Sequence, residues 1–227
     1  FLRTDGTVHA ARRLDRTELG FYPGASRLAA LGDLDRDGGG ELALGALGYS
    51  DSSVEVLFLE NDGSVRAHTS IGRGRGGFTG TIEDEDRFGS ALAALGDLDG
   101  DDVPDLAVGA PYDRDGGGGP YQGPGAVWIL LLAPDGTVQS HRKISATQGG
   151  FAGDLDLSDG FGSALAALGD RDGDGLTELG VGTPLDDDGG YQHGALWLLA
   201  LDGIATVDFD SADDVTRTPL TNGRAVT

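Results

Sequence analysis

The sequence predicts an all-β chain in which small antiparallel sheets follow one another, and three observations carry that prediction. Glycine is the commonest residue, 41 of 227; it weakens helices and supplies the positive φ that tight turns need. Two segments nearly superimpose: FGSALAALGDLDGDDVPDLAVGAP at 88–111 and FGSALAALGDRDGDGLTELGVGTP at 161–184, with a degraded copy, GASRLAALGDLDRDGGGELALGALG, at 24–48. Their first acidic residues, Asp33, Asp97 and Asp170, stand 64 and 73 residues apart, too far for one helical hairpin and suited to a four-stranded unit. Finally, each copy is followed by two apolar runs around an Asp-Gly pair: 54–65 across Asp62-Gly63, 126–138 across Asp135-Gly136 and 195–207 across Asp202-Gly203. Asp-Gly between such runs is a strong hairpin signal.

Taken in order, residues 1–17 contain the Asp5-Gly6 turn but no preceding acidic cluster, so they read as a half unit of two outer strands. Residues 18–72, 73–145 and 146–212 each read as a full unit of four antiparallel strands. Residues 213–227 form a tail whose Asn222-Gly223 pair could turn a poor inner hairpin. Within each unit the first strand is small (Ala91, Ala93, Ala94 and Ala164, Ala166, Ala167), as crowding near an axis requires. The later strands hold Phe58, Trp128, Ile129 and Trp197, which fill the space between neighbouring sheets. A helical reading of SALAALG fails on length, because seven residues bounded by glycines do not nucleate a helix without help.

Charge narrows the function classes. Sixteen Lys+Arg against 38 Asp+Glu give a formal net charge of -22, which excludes nucleic acid as a partner and makes bound cations or a cationic partner the natural counterparts. The absence of cysteine excludes disulfides, thiolate chemistry and cysteine-based zinc sites. No apolar run approaches the roughly 20 residues of a membrane helix; the longest, 126–133, has the length of a buried strand, so no membrane insertion is expected. No signal-peptide pattern precedes Phe1 and there is no methionine, so the chain reads as a portion of something longer.

Each unit carries D-x-D-x-D with a further acid four positions on. The sets are Asp33, Asp35, Asp37 and Glu41; Asp97, Asp99, Asp101 and Asp105; and Asp170, Asp172, Asp174 and Glu178. Alternate residues of a tight loop can turn their carboxylates inward. With the seventh-position carbonyls of Gly39, Val103 and Leu176, they reach the about 6 to 8 hard oxygen ligands that Ca²⁺ prefers. Two carboxylates about 4 Å apart repel by roughly 4 kcal/mol at an effective dielectric near 20, so the loops demand a counter-ion, and three calcium sites are expected, one per full unit. The sixth position is Gly38 and Gly175 in the outer copies but Asp102 in the middle one, which implies strain and a weaker second site. The twelfth position is Leu44, Val108 or Val181, not the bidentate Glu of a helix-flanked calcium hand, so each loop is expected as the turn of a β-hairpin.

The order Phe88-Gly89, the acidic loop at 97–105, then Gly109-Ala110-Pro111 resembles the FG-GAP repeat of the integrin α-subunit propeller and its bacterial relatives. The third unit keeps Phe161-Gly162 and closes on Gly182-Thr183-Pro184; the first lacks both flanking signatures. The resemblance implies a β-propeller of four-stranded blades around a channel, with calcium between the first and second strands on one face and partners on the opposite face. It also implies a secreted or cell-surface adhesion scaffold binding protein or carbohydrate, non-catalytic, or an accessory module beside the catalytic domain of a secreted lyase or phospholipase. Closed propellers generally have at least four blades. Three blades and a half are therefore expected to be an incomplete ring, or one completed by self-association, rather than a closed four-bladed monomer.

The remaining features are weaker. His9, His68, His141 and His193 have no zinc-type spacing. GRGRGG at 72–77 lacks the βαβ context of a dinucleotide site and reads as a loop between blades. The acidic stretches at 83–86, 153–159 and 185–190 read as solvated loops. Tyr112, Tyr121 with Gln122, and Tyr191 with Gln192 sit on glycine-rich loops before third strands and are the candidate partner surface. Paired carboxylates acting as acid and base are disfavoured, since calcium-saturated aspartates make poor proton donors and no nucleophile motif is present.

Overall fold

The computed structural model describes residues 4–21, 27–48, 52–115 and 117–201. Among them, the first sheet contains β1 (Arg27–Gly32), β2 (Glu41–Ala46), β3 (Ser53–Leu59) and β4 (Val65–Ile71), and the second contains β5 (Ala91–Gly96), β6 (Asp105–Ala110), β7 (Ala126–Leu132) and β8 (Val138–Ser145). The third contains β9 (Ala164–Ala167), β10 (Leu179–Thr183) and β11 (Ala195–Leu199). Every sheet is an antiparallel meander, in orders β1-β2-β3-β4, β5-β6-β7-β8 and β9-β10-β11. The fourth strand expected across Asp202-Gly203 and the tail lie outside the described residues. Among the described residues, helix is confined to α1 (Arg16–Leu19), capped by Asp15 and stopped by left-handed Gly20 at φ 76°, and one 3₁₀ turn over Asp84–Asp86. Residues 4–6 form the Asp5-Gly6 turn, with the Asp5 side chain accepting from the Thr7 amide at 2.9 Å, but the described residues 4–21 hold no strand, so the two outer strands expected of a half unit over 1–17 are not found there.

The sheets are propeller blades: β5, the first strand of the second blade, packs against β1 on one side and β9 on the other. The alanines predicted for an axis lie on these inner strands, where small side chains let backbones approach. One core lies between the first two blades, with Val54, Val56 and Phe58 meeting Leu92, Val108, Trp128 and Leu130. A second lies between blades two and three, with Val127, Ile129 and Leu131 meeting Leu179 and Val181. Apolar side chains on both faces of β7 are therefore buried, which is why AVWILLL is continuous rather than alternating.

Two glycine contacts explain the spacing of the repeat's signatures. A Cβ on Gly109 would stand 2.1 Å from the carbonyl oxygen of Gly162 in the next blade, and a Cβ on Gly45 equally close to that of Gly89. The glycine of the closing signature of one blade thus seats the Phe-Gly of the blade after it. The preceding Phe88 and Phe161 are fully buried, each beside a second phenylalanine that meets the blade's tryptophan edge-on: Phe78 with Trp128, and Phe151 with Trp197.

Candidate functional site

Each acidic loop joins the first two strands of its blade, and the first two loops begin at a distortion. The β1–β2 and β5–β6 ladders shift register just before Gly32 and Gly96, which have φ of 89° and 74°. A glycine in this conformation opens a bulge that turns the chain out of the sheet. The carboxylates then fold back on the amides that follow. Asp97 accepts from the amides of Gly100, Asp101 and Asp102, and Asp101 from that of Val103 at 2.8 Å. Asp170 accepts from Gly173 and Gly175, and Asp174 from Leu176; Asp33 accepts from Gly38, and Asp37 from Gly39. The ninth-position acid stands at or just before the first residue of the second strand and closes the loop from beneath, with Glu41, Asp105 and Glu178 accepting from the amides of Leu34, Leu98 and Arg171 at 2.6, 2.8 and 2.6 Å.

The loops gather different subsets of the expected ligands. In the third, carboxylate oxygens of Asp170, Asp172, Asp174 and Glu178 all lie within 4.8 Å of one another; in the second those of Asp97, Asp99 and Asp105 do so, and in the first those of Asp33, Asp35 and Asp37. Glu41 is 2% exposed and its Oε1 has no hydrogen-bond partner. An orphaned carboxylate oxygen beneath three converging carboxylates is an all-oxygen, anionic arrangement that fits a hard divalent cation. Gly39, Val103 and Leu176, the expected carbonyl donors, each follow directly on the left-handed residue of their loop. Burial, then mutual repulsion, raises the carboxyl of Asp99; burial also raises that of Glu41, and that of Asp105 to about 7.

Neighbouring side chains differ between loops. Arg66 on β4 donates to Asp35 Oδ2 at 2.6 Å and lies 2.9 Å from Asp37 Oδ2, holding the Asp35 carboxyl below its usual range. In the second blade the corresponding Gln139 donates to Asp101 Oδ2 at 3.1 Å. The sixth-position residues are left-handed in all three loops: Gly38 at φ 88°, Asp102 at 64° and Gly175 at 94°. The strain expected at Asp102 is therefore present, and Asp102 meets Arg36 of the first loop, whose guanidinium lies 3.5 Å from Asp102 Oδ2 and donates to the Asp101 carbonyl at 3.0 Å.

At the opposite end of the blades, Tyr112 and Tyr121 meet edge-on with centroids 5.7 Å apart, and the Arg87 guanidinium covers both. Gln122 lies beside them in the turn, whereas Tyr191 and Gln192 stand exposed on the next blade. Sequence reasoning missed a charge cluster behind this surface: the nearly buried Lys143 Nζ lies 2.7 Å from the buried Asp113 Oδ1 and 3.4 Å from Asp115 Oδ2, and nearer the surface Arg114 pairs with Glu83. Burial and the nearby Asp113 push the Asp86 carboxyl up to about 7. In the third blade Asp187 replaces Arg114, and Asp156, Asp187 and Asp188 converge within 4.8 Å.

Comparison with known proteins draws on the same residues. The FG-GAP repeat family model matches residues 88–130. The chain is an integrin-like FG-GAP repeat protein. It is 32% identical over 179 residues to integrin alpha-PS2 of Drosophila melanogaster, covering 75% of this chain and 12% of that protein. It is 33% identical over 187 residues to mouse integrin alpha-IIb, 78% of this chain and 16% of that protein. It is also 33% identical over 171 residues to rat phosphatidylinositol-glycan-specific phospholipase D, 73% of this chain and 19% of that protein. The FG-GAP chain thus spans less than a fifth of these relatives' length. Among its described residues, no helix is long and apolar enough to cross a membrane.

Proposed function

We propose that the chain is a calcium-stabilised β-propeller module that binds a protein or carbohydrate ligand and performs no chemistry itself. One observation carries the reading: the same loop in each blade brings carboxylates together at the start of the second strand, over a buried acid. Ca²⁺ bound there supplies the positive charge that those carboxylates otherwise lack. The chain's own residues do the rest: Asp33, Asp97 and Asp170 hold the loop amides, Glu41, Asp105 and Glu178 close each loop from below, and the carbonyls of Gly39, Val103 and Leu176 complete the donor set. Calcium thereby pins the turn between the inner strands of each blade, and the opposite face, with Tyr112, Tyr121, Gln122, Tyr191 and Gln192, remains free to meet a partner. Similarity to integrin α chains supports a protein partner and a secreted or cell-surface setting.

Thermal melting with calcium and with a chelator tests the reading. Saturation to about 100 times Kd stabilises by about 2.7 kcal/mol per site, so melting temperature should rise markedly with calcium, and calorimetry should count three sites. A melting temperature indifferent to the chelator would overturn the calcium reading.

Similarity to phospholipase D favours a second reading, an accessory module of a larger secreted enzyme. A catalytic domain in the same reading frame decides for it.

A further inference from the structure

We infer that Arg66 is a built-in cation of the first acidic loop, holding it in shape without calcium and making it the weakest calcium site of the three. This inference rests on the calcium reading of the loops. Arg66 projects from β4 back over the loop of its own blade, with its Nη2 2.6 Å from Asp35 Oδ2 and 2.9 Å from Asp37 Oδ2. Two further contacts hold it there: its guanidinium covers the buried Phe58 ring at 5.6 Å, and its Nε lies 3.9 Å from Glu60 Oε1. These two aspartates are the third- and fifth-position ligands of the loop. Beneath them lies the buried, partnerless Glu41 Oε1, the independent sign that the loop is built to receive a cation.

The second blade supplies the control. The residue after the first one of β8 is Gln139, where the residue after the first one of β4 is Arg66, and Gln139 also reaches the fifth-position aspartate, Asp101, at 3.1 Å. The geometry of reach is shared and the charge is not. A neutral amide orients Asp101 without opposing a divalent ion. The guanidinium relieves the repulsion between Asp35 and Asp37 in the calcium-free loop, then repels the ion that enters or must be displaced by it. The calcium-free first loop is therefore the best ordered of the three, and its gain on binding calcium the smallest.

Calorimetric calcium titration and melting of the full chain test this with the reciprocal variants Arg66→Gln and Gln139→Arg. Arg66→Gln should tighten one binding step by about tenfold, the scale of a unit charge near a divalent ion in a water-like dielectric. It should also lower the melting temperature in chelator, and that difference should vanish at saturating calcium. Gln139→Arg should weaken one step by a similar factor, and it reads the same claim in the second blade if Arg66→Gln does not fold. Unchanged or weaker steps in Arg66→Gln, or an unchanged profile in a folded Gln139→Arg, would overturn the inference while leaving the calcium reading intact. Absence of any calcium binding by the native chain would overturn both.

Discussion

The second and third blades share nearly the same inner strands, yet their ends away from the acidic loops differ in charge: acids paired with basic side chains in one, acids clustered together in the other. In the second, Arg114 pairs with Glu83, and Lys143 is buried between Asp113 and Asp115 against the Trp128 ring. In the third, aspartate 187 stands where Arg114 stands, and Asp156, Asp187 and Asp188 crowd together. Strand residues answer to packing between blades, which is the same problem at each repeat. The loops after β6 and β10 answer to nothing in the repeat, so they can carry different charge on one scaffold. The blades are structural equals that present different chemistry to solvent.

The largest test of this contrast is Lys143→Met. Its ammonium is nearly buried against Asp113, so removal leaves an uncompensated carboxylate inside the second blade, and a loss of about 3–5 kcal/mol is expected in chemical denaturation. Next comes Gly109→Ala, whose Cβ would strike the Gly162 carbonyl; about 2–3 kcal/mol should be lost. Gly182→Ala, at the same place in the third blade, meets nothing among the described residues nearer than the Ala164 Cβ at 3.1 Å and should cost well under half of that. Equal losses at the two glycines would mean that the seam between blades does not set the cost.

A smaller effect concerns pH. Asp86 has a carboxyl raised from 3.8 to about 7 by burial and by Asp113. The folded state therefore keeps a proton that the unfolded chain has already released. The stability due to this group is full below pH 3.8 and is lost as pH rises through about 7. At saturating calcium, Asp86→Asn should flatten the decline in melting temperature between about pH 5 and pH 8. An unchanged slope would assign the pH dependence elsewhere. The smallest effect is Asp102→Gly, which relieves a left-handed aspartate and gives up an exposed contact with Arg36; a gain of at most about 1 kcal/mol is expected.

Much of this was legible from residues alone. Asp62-Gly63 and Asp135-Gly136 mark their hairpins because local turn chemistry decides them, and Gly63 and Gly136 take φ of 80° and 75°. The acidic loops were legible as loops, and so was the left-handed strain at Asp102, because neighbouring copies show glycine there. What each loop gathers was not legible. Glu41 stays out of the first cluster and Asp101 out of the second, and the outer-strand side chains that reach into these loops, Arg66 and Gln139, lie 31 and 38 positions from the aspartates they bond. Only the pairing of outer strands brings them near. The seam between Gly109 and Gly162 was equally hidden, since a motif shows that two glycines recur and not that they touch. The one signal for the Lys143 cluster was a lone lysine in an outer strand of an acidic chain.

The glycine seam also has a direction. The closing glycine of each blade receives the Phe-Gly of its successor, so the donor and acceptor edges of a blade are different surfaces. In the third blade the acceptor edge shows Leu196 and Leu198 at 71% and 63% exposure, whereas Val127 and Ile129 at the same places in the second are 0% and 3% exposed. Any assembly through this edge would be heterologous, blade after blade head to tail, because a twofold dimer cannot use a directional seam. The rotation per blade then decides the outcome, closing a ring when it divides the circle and extending a filament when it does not.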